Sequence, residues 1–436
     1  MSGQRALVRN ESPHMRQNRE PIILSSHAPT LIAIAGLFAI WGMAQWDYSI
    51  VFPRLAQFFG FNASQTTWTQ TLFNVTYVLF AIPTALFHRR FGYKLGVTVA
   101  LSVISLGPFL FYPAIMGHYT ACFISAVVML GIGWAALETS LNPLAVELGP
   151  SKTAVRRLNL VQAFYPIGLV AGYFVAQKYL MSFYQHPESH SAQFASRPYV
   201  VVGLMVLFLA FAIDWVWFPG DKTKRDKSKT KLRDEFRTLF SNHSVLLGML
   251  ALFCCILSLS TTLGGIFSYI AQQLPSAAGD FPTTMFLLSC ILLGIGRFAG
   301  TGLMYRFDPL RLLLWGMGVS VALVIAAAAL GGVAGLGCLL GTSLFLTIAY
   351  PTIFATTIRN LGPLTKLASG LLVTAAGVAS AFTPLVNSYA LSVSTSRTIL
   401  LLTVPCFLVV IGVAAALRRF ENKEPRQQTP VLASAK

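Results

Sequence analysis

Charge is scarce in this chain: Asp, Glu, Lys and Arg make up 11% of its 436 residues, against about 25% in soluble domains. A surface built for water is therefore excluded over most of its length. Cysteine is also sparse. The six cysteines (Cys122, Cys254, Cys255, Cys290, Cys338 and Cys406) lie in apolar stretches, and none stand at metal-ligand spacing. They read as small packing residues rather than as a disulfide framework or a metal site. No glycine-rich phosphate loop, nucleophile triad or metal signature occurs. ATP-driven chemistry and enzymatic catalysis are therefore unsupported, and no cofactor is expected. The first 27 residues are polar and carry Arg5, Arg9, Arg16 and Arg19 without an apolar core and cleavage site, so no signal peptide is expected.

Apolar residues are abundant instead: they make up 55% of the chain, and mean hydropathy is +0.65. Apolar runs of about 18 residues or more recur, each long enough to cross a bilayer as a helix. The pattern predicts an all-α membrane protein with twelve transmembrane helices, near 30–56, 67–87, 95–115, 119–147, 158–180, 198–218, 244–272, 281–303, 309–330, 333–358, 367–390 and 397–417. The longest polar stretch, Pro219 to His243, separates two six-helix bundles. The expected organisation is an N-terminal tail (1–28), a first bundle (29–218), a basic linker (219–243), a second bundle (244–417) and a C-terminal tail (418–436).

A net charge of +17 would suggest nucleic acid in a soluble protein; in a membrane protein it reports topology. Placing both termini and every even-to-odd loop in the cytoplasm gathers Arg89, Arg90, Lys94, Lys152, Arg156, Arg157, Arg306, Arg311, Arg359, Lys366 and the cluster from Lys222 to Arg237 on one side. Lys178, Arg197 and Arg397 are the exceptions. The asymmetry predicts that both ends are cytoplasmic. The corresponding expectations are a multi-pass protein of the plasma membrane, a monomer, and no nucleic-acid partner. The linker cluster reads equally as an anionic-lipid contact or as a solvated charged segment.

One carboxyl breaks the apolar pattern. Glu138 interrupts the fourth run, in Leu137-Glu138-Thr139-Ser140-Leu141-Asn142-Pro143. A charged group there costs roughly 2.5–3.5 kcal/mol on insertion scales. Burial also disfavours the ionised form of a carboxyl, which suits such a group to proton exchange. Glu138 either lines a polar pathway or makes an interhelical hydrogen bond that fixes packing.

The two halves repeat in parallel. Leu148-Gly149-Pro150 follows helix four and Leu361-Gly362-Pro363 follows helix ten. With the hydropathy, this fits two bundles related by an axis along the membrane normal, the arrangement of the major facilitator fold. The run from Gly133 to Gly172, GWAALETSLNPLAVELGPSKTAVRRLNLVQAFYPIGLVAG, resembles the L-fucose permease family, the fucose–galactose–proton symporters of the major facilitator superfamily. Tyr350-Pro351-Thr352-Ile353-Phe354, Thr365-Lys366, Ser369-Gly370 and Gly296-Arg297-Phe298 extend the match. The resemblance implies a secondary transporter that imports a monosaccharide, L-fucose or a related hexose or pentose, by proton symport and alternating access. It implies that Asp47 and Glu138 serve proton coupling and sugar binding, and that Asn159 and Gln162 face the sugar. The chain departs from the family at Trp46, where Asn is usual, and at Ser260, where Glu is frequent. It departs from the superfamily at Arg89, where the loop usually carries an acid.

The residues allow further readings. Asp47 is a proton site and hydroxyl acceptor, or a structural partner for Arg54 two turns on. Asn142 lies one turn beyond Glu138 on the same helix face, and Pro143 frees a backbone carbonyl nearby. The pair forms a polar patch with Glu138 or simply kinks the helix. Asn159 and Gln162 share a face; their amides offer donor and acceptor together, as sugar hydroxyls do, or act as interhelical glue. Trp46 stacks on a sugar ring or sits at the membrane interface. Asn74, Tyr77, Tyr165 and Asn387 are further candidates for the binding site, each also readable as a packing residue. Arg297, near the cytoplasmic end of helix eight, is expected to snorkel or to hold a loop carbonyl, in a gating or structural role. Two other functions share the same architecture: a sugar sensor without transport, and a proton-coupled exporter of amphipathic solutes.

Overall fold

The computed structural model describes residues 22, 27–46, 52–177, 192–216, 218, 232–277, 279–393 and 395–423. Among these the chain is helical, as backbone amides within a hydrocarbon layer must be satisfied inside their own segment. The spans are α1 (Ala28–Trp46), α2 (Ala63–Phe91), α3 (Tyr93–Gly117), α4 (Thr120–Glu147), α5 (Ala154–Gln162 and Tyr165–Ala176) and α6 (Ala192–Ala212). The second half holds α7 (His243–Gln273), α8 (Phe281–Leu303), α9 (Pro309–Leu330), α10 (Gly332–Leu346 and Ala349–Ile358), α11 (Thr365–Val393) and α12 (Ser396–Leu401 and Thr403–Lys423). Eleven are long and apolar enough to cross a membrane, and α6 contributes a shorter apolar stretch, Ser196–Ala212.

The ends of these helices are marked by local chemistry. Asn62 caps α2 reciprocally with Gln65, and Asn242, Asp308 and Thr395 accept backbone N–H groups at the starts of α7, α9 and α12. Helix one was expected to run on to 56. The described residues hold α1 over Ala28–Trp46 and a short helix over Phe52–Phe58, and the part of the expected helix between them lies outside the described residues. Asp47 lies between them, outside the described residues, as does the side chain of Trp46. Helices five and ten, expected to be continuous, are each broken near their middle.

The first six helices pack on one another, as do the last six, and the halves meet through α2 against α11 and α5 against α8. The inner segment of α10, Ala349–Ile358, also rests on α4 and on Ala154–Gln162 of α5. The crossing of α1 and α5 is unusually close. A Cβ added at Gly42 would stand 1.9 Å from the Tyr165 carbonyl oxygen, and one at Gly168 would stand 1.7 Å from that of Ala39. Only glycine at both positions lets the backbones meet this way, as small residues do wherever membrane helices pack closely. This contact sets α1 beside the polar face of α5.

Candidate functional site

Four polar side chains converge where α4, α5 and α10 meet. Glu138 and Asn142 are buried one turn apart on α4, with relative exposures of 6% and 0%. The Asn142 amide nitrogen donates to Glu138 Oε1 at 3.3 Å and lies 3.3 Å from the Tyr350 hydroxyl, to which it also donates. The Tyr350 hydroxyl donates to the same carboxylate oxygen. Gln162 Nε2 of α5 donates to Asn142 Oδ1 at 2.8 Å. The chain Gln162–Asn142–Glu138–Tyr350 therefore passes from one half of the molecule to the other. Every polar atom it uses in this chain finds a partner, as burial in an apolar surround requires.

A second bond between the halves lies one helix turn nearer the basic loops. Asn159 Nδ2 donates to Val155 O at 2.9 Å and to Thr352 Oγ1 at 3.3 Å. The buried Asn159 Oδ1 has no hydrogen-bond partner among the described residues. An aromatic wall stands on the other side of the cluster. Trp134, one turn before Glu138, stacks on Trp41 of α1 with ring centroids 5.6 Å apart, and Trp41 meets the edge of Tyr165 at 6.1 Å. The ring of Trp134 is buried; those of Trp41 and Tyr165 are partly open.

Arg297 does not snorkel. It is 7% exposed, and the reason lies in two prolines. Pro166 has no N–H to give the carbonyl of Gln162, and Pro351 has none for that of Thr347. These are the places where α5 and α10 break. Arg297 Nη1 donates to Gln162 O at 2.9 Å, Nη2 to Thr347 O at 2.7 Å, and Nε to Thr347 Oγ1 at 3.0 Å. One guanidinium thus satisfies a freed carbonyl in each half. A carbonyl left bare in this setting would cost about 1–3 kcal/mol, which is what draws the cation inward.

The other candidates sit apart from this cluster. Asn74 is buried and donates to Gln70 O of its own helix at 2.9 Å. The Tyr77 ring lies against Gly377 of α11. Asn387 faces Gly264 of α7, and its Oδ1 has no partner among the described residues. Glu147 accepts from the Tyr93 hydroxyl at 3.3 Å near the basic loops. Sequence reasoning missed Tyr350 and Trp41. The repeat carried a signal for the first. Aligning the two Leu-Gly-Pro motifs places Tyr350 within one residue of the position equivalent to Glu138.

The fold and this cluster across its two halves are those of a membrane transporter of the facilitator type. The chain belongs to the Major Facilitator Superfamily, whose family profile it matches over residues 30–384. It is 28% identical over 397 residues to the L-fucose-proton symporter of Escherichia coli, covering 86% of this chain and 90% of that protein. It is also 28% identical over 361 residues to a glucose/galactose transporter of Brucella abortus, covering 82% and 86%. A crystal structure of the transporter FucP in the outward conformation superposes with a TM-score of 0.80 and 26% identity, over 90% of this chain and 99% of that one. These relatives bear out the resemblance to the L-fucose permease family. The chain is a multi-pass integral membrane protein.

Proposed function

We propose that this protein imports a monosaccharide by proton symport, with Glu138 as the coupled carboxyl. The observation that carries the reading is the hydrogen-bonded chain Gln162–Asn142–Glu138–Tyr350, which links a membrane-buried carboxyl to amides that match sugar hydroxyls and to the opposite half. The names of the similar proteins, an L-fucose-proton symporter and a glucose/galactose transporter, support the same substrate class.

The cycle follows from what competes with what. All the described bonds between the halves lie at the level of Glu138 or nearer the basic loops, so this conformation is closed at that end. With both termini placed in the cytoplasm, the closed end is the cytoplasmic one. A proton arriving from outside neutralises Glu138 and weakens the charge-assisted bond from Tyr350. A hexose then competes for the amides of Asn142 and Gln162 and stacks on Trp41 beside Tyr165. Proton and sugar together loosen the contacts that hold the cytoplasmic end shut, so both favour the inward state. Coupling demands this, since a ligand shifts a conformational equilibrium only by its differential affinity for the two states. After release to the cytoplasm, the recharged Glu138 recaptures the Tyr350 hydroxyl, which favours return of the empty carrier.

Asp47 is the second proposed proton and sugar residue. Asn159, whose Oδ1 has no partner among the described residues, extends the polar surface; Trp46, Asn74, Tyr77 and Asn387 are further proposed substrate residues. The two bundles, 29–218 and 244–417, move as the rocking units. The protein acts as a monomer in the plasma membrane, without a cofactor, enzymatic activity or a nucleic-acid partner.

Purified protein in liposomes tests the reading. Labelled L-fucose is offered with and without an inward proton gradient, and D-galactose, D-glucose, D-mannose and D-arabinose compete. Gradient-driven accumulation with a defined competition order is expected. Absence of flux and of competition for every sugar would refute it.

A further inference from the structure

The short helix ahead of α7, Leu232–Ser241, presents four different sides. At 3.6 residues per turn, its residues fall in a fixed rotational order. Glu235 and Leu239 come first, and both are buried against the protein. Glu235 accepts there from both terminal nitrogens of Arg89 at the end of α2. Leu232, Phe236 and Phe240 come next, spaced four apart on one line. Leu232 is 41% exposed and Phe240 50%, and the rings of Phe236 and Phe240 stack with centroids 6.3 Å apart. Arg233 and Arg237 follow, both exposed, and then Asp234, Thr238 and Ser241, exposed as well.

That order suits a boundary rather than a solvated tether. A helix on the surface of a water-soluble protein needs one apolar stripe toward the core and a polar remainder. Here a second apolar line stands beside the buried one and is bordered by arginines, the pattern of helices that lie in the plane of a membrane interface. The location agrees. The helix ends at Ser241, and the next residue, Asn242, caps α7 by accepting from Ser244 N and Val245 N. α7 is long and apolar enough to cross the membrane, and its Leu246 and Leu250 are exposed along the first turns. A single capping residue therefore keeps the short helix at the bilayer surface. Charge selects the kind of lipid. The stretch 222–237 carries eight Lys and Arg against Asp226, Asp234 and Glu235, and Glu235 is already engaged by Arg89.

We propose that Leu232–Ser241 is an interfacial helix that binds anionic phospholipid, with Leu232, Phe236 and Phe240 against the acyl chains and Arg233 and Arg237 against the headgroup phosphate. Arginine pairs with phosphate through two parallel charge-assisted bonds, and each arginine near an anionic bilayer surface adds about fivefold in affinity. Asp234 and Thr238 then face water, where Thr238 donates to Asp234 O of its own helix at 2.8 Å. The basic stretch between the bundles thus ends in a lipid site rather than being a solvated segment throughout. The inference depends on the membrane setting of α7, not on the solute carried.

Photolabelling by lipid tests it on the full chain in nanodiscs of phosphatidylcholine. A trace of phosphatidylglycerol, or of phosphatidylcholine, carries a diazirine high on its acyl chain, and labelled peptides are mapped by mass spectrometry. The peptide spanning 232–241 is expected to take label from phosphatidylglycerol about fivefold or more above phosphatidylcholine. A peptide from α12, where Leu402 and Leu408 are exposed, should take both equally and reports that each variant is folded in the bilayer. Arg233→Gln/Arg237→Gln is expected to bring the ratio at 232–241 close to one, and Phe240→Ser to lower labelling by both lipids. The proposal is overturned if the two lipids label 232–241 equally in the unaltered protein, or if the arginine variant leaves the ratio unchanged. It is also overturned if neither lipid labels the helix, which would assign the exposed face to water or to a second copy of the chain. No sugar or proton gradient is present, so the outcome is independent of the transport reading, which the flux assay tests separately.

Discussion

Tyr350→Phe removes one atom and leaves the rest of the site in place. The ring is 8% exposed and stacks on Phe354 with centroids 5.8 Å apart, so phenylalanine keeps its packing. What is lost is the hydroxyl that donates to Glu138 and accepts from Asn142. Hydrogen bonds to charged groups contribute about 1.5–3 kcal/mol, and each 1.4 kcal/mol is about tenfold in an equilibrium. Asn142 keeps its own bond to Glu138 at 3.3 Å, so the lower end applies and a shift of about tenfold towards the inward-open state is expected. The empty carrier then returns outward more slowly. Net proton-driven uptake should fall about tenfold, in proportion to that shift. Sugar counterflow, which cycles only loaded carriers, should change far less. Both fluxes can be measured on the same proteoliposomes. An equal loss of uptake and counterflow, or full retention of uptake, would show that the Tyr350–Glu138 bond does not drive the return step.

Glu138→Gln keeps the shape of the carboxyl but cannot exchange a proton. It is expected to abolish gradient-driven accumulation while leaving exchange down a sugar gradient, and full concentrative uptake by the variant is the result that removes Glu138 from coupling. Gln162→Ala loses the amide that donates to Asn142 but keeps the backbone carbonyl held by Arg297. Sugar binding should weaken by about 1 kcal/mol, roughly fivefold, as read by equilibrium binding; an unchanged Kd excludes the side chain from the site. Gly168→Ala would place a Cβ 1.7 Å from the Ala39 carbonyl oxygen. Overpacking of this kind costs about 1–3 kcal/mol, so the melting temperature in detergent should drop, and an unshifted melt would mean that α1 and α5 are not in contact.

Much of the fold was legible because the bilayer restricts the choices: long apolar segments must be helices, and basic loops separate them. Glu138 was legible because a carboxyl in such a segment needs a reason. Asn142 followed from its helical spacing to Glu138, Gln162 was implied by the resemblance and by the face it shares with Asn159, and the structure brings Glu138, Asn142 and Gln162 together. Tyr350 was harder to see. Tyrosine is amphipathic and common in membrane helices, and the segment Tyr350–Phe354 extended the resemblance without giving Tyr350 a role; its partner lies 212 residues away. For Arg297 the sequence offered snorkelling or a hold on a loop carbonyl; the structure shows it holding carbonyls, those freed at the breaks of α5 and α10. The signal was present in Pro166 and Pro351, each of which leaves a carbonyl four residues earlier without a donor. Arg89 stood out as a departure from the superfamily pattern, and only the tertiary fold shows Glu235 answering it.

The two prolines have a mechanical consequence. A helix bends at low cost where its hydrogen-bond ladder is interrupted, so α5 and α10 each behave as two levers joined at an elbow rather than as one rod. The inner levers, Ala154–Gln162 and Ala349–Ile358, are fastened together through Asn159 and Thr352. The outer levers, Tyr165–Ala176 and Gly332–Leu346, can tilt by dihedral changes at the elbows alone, while the bolt between them, Arg297, stays seated. Closure over a bound solute can then begin on the outer side before the inner side lets go, which is the sequence of events that keeps a carrier from becoming a pore.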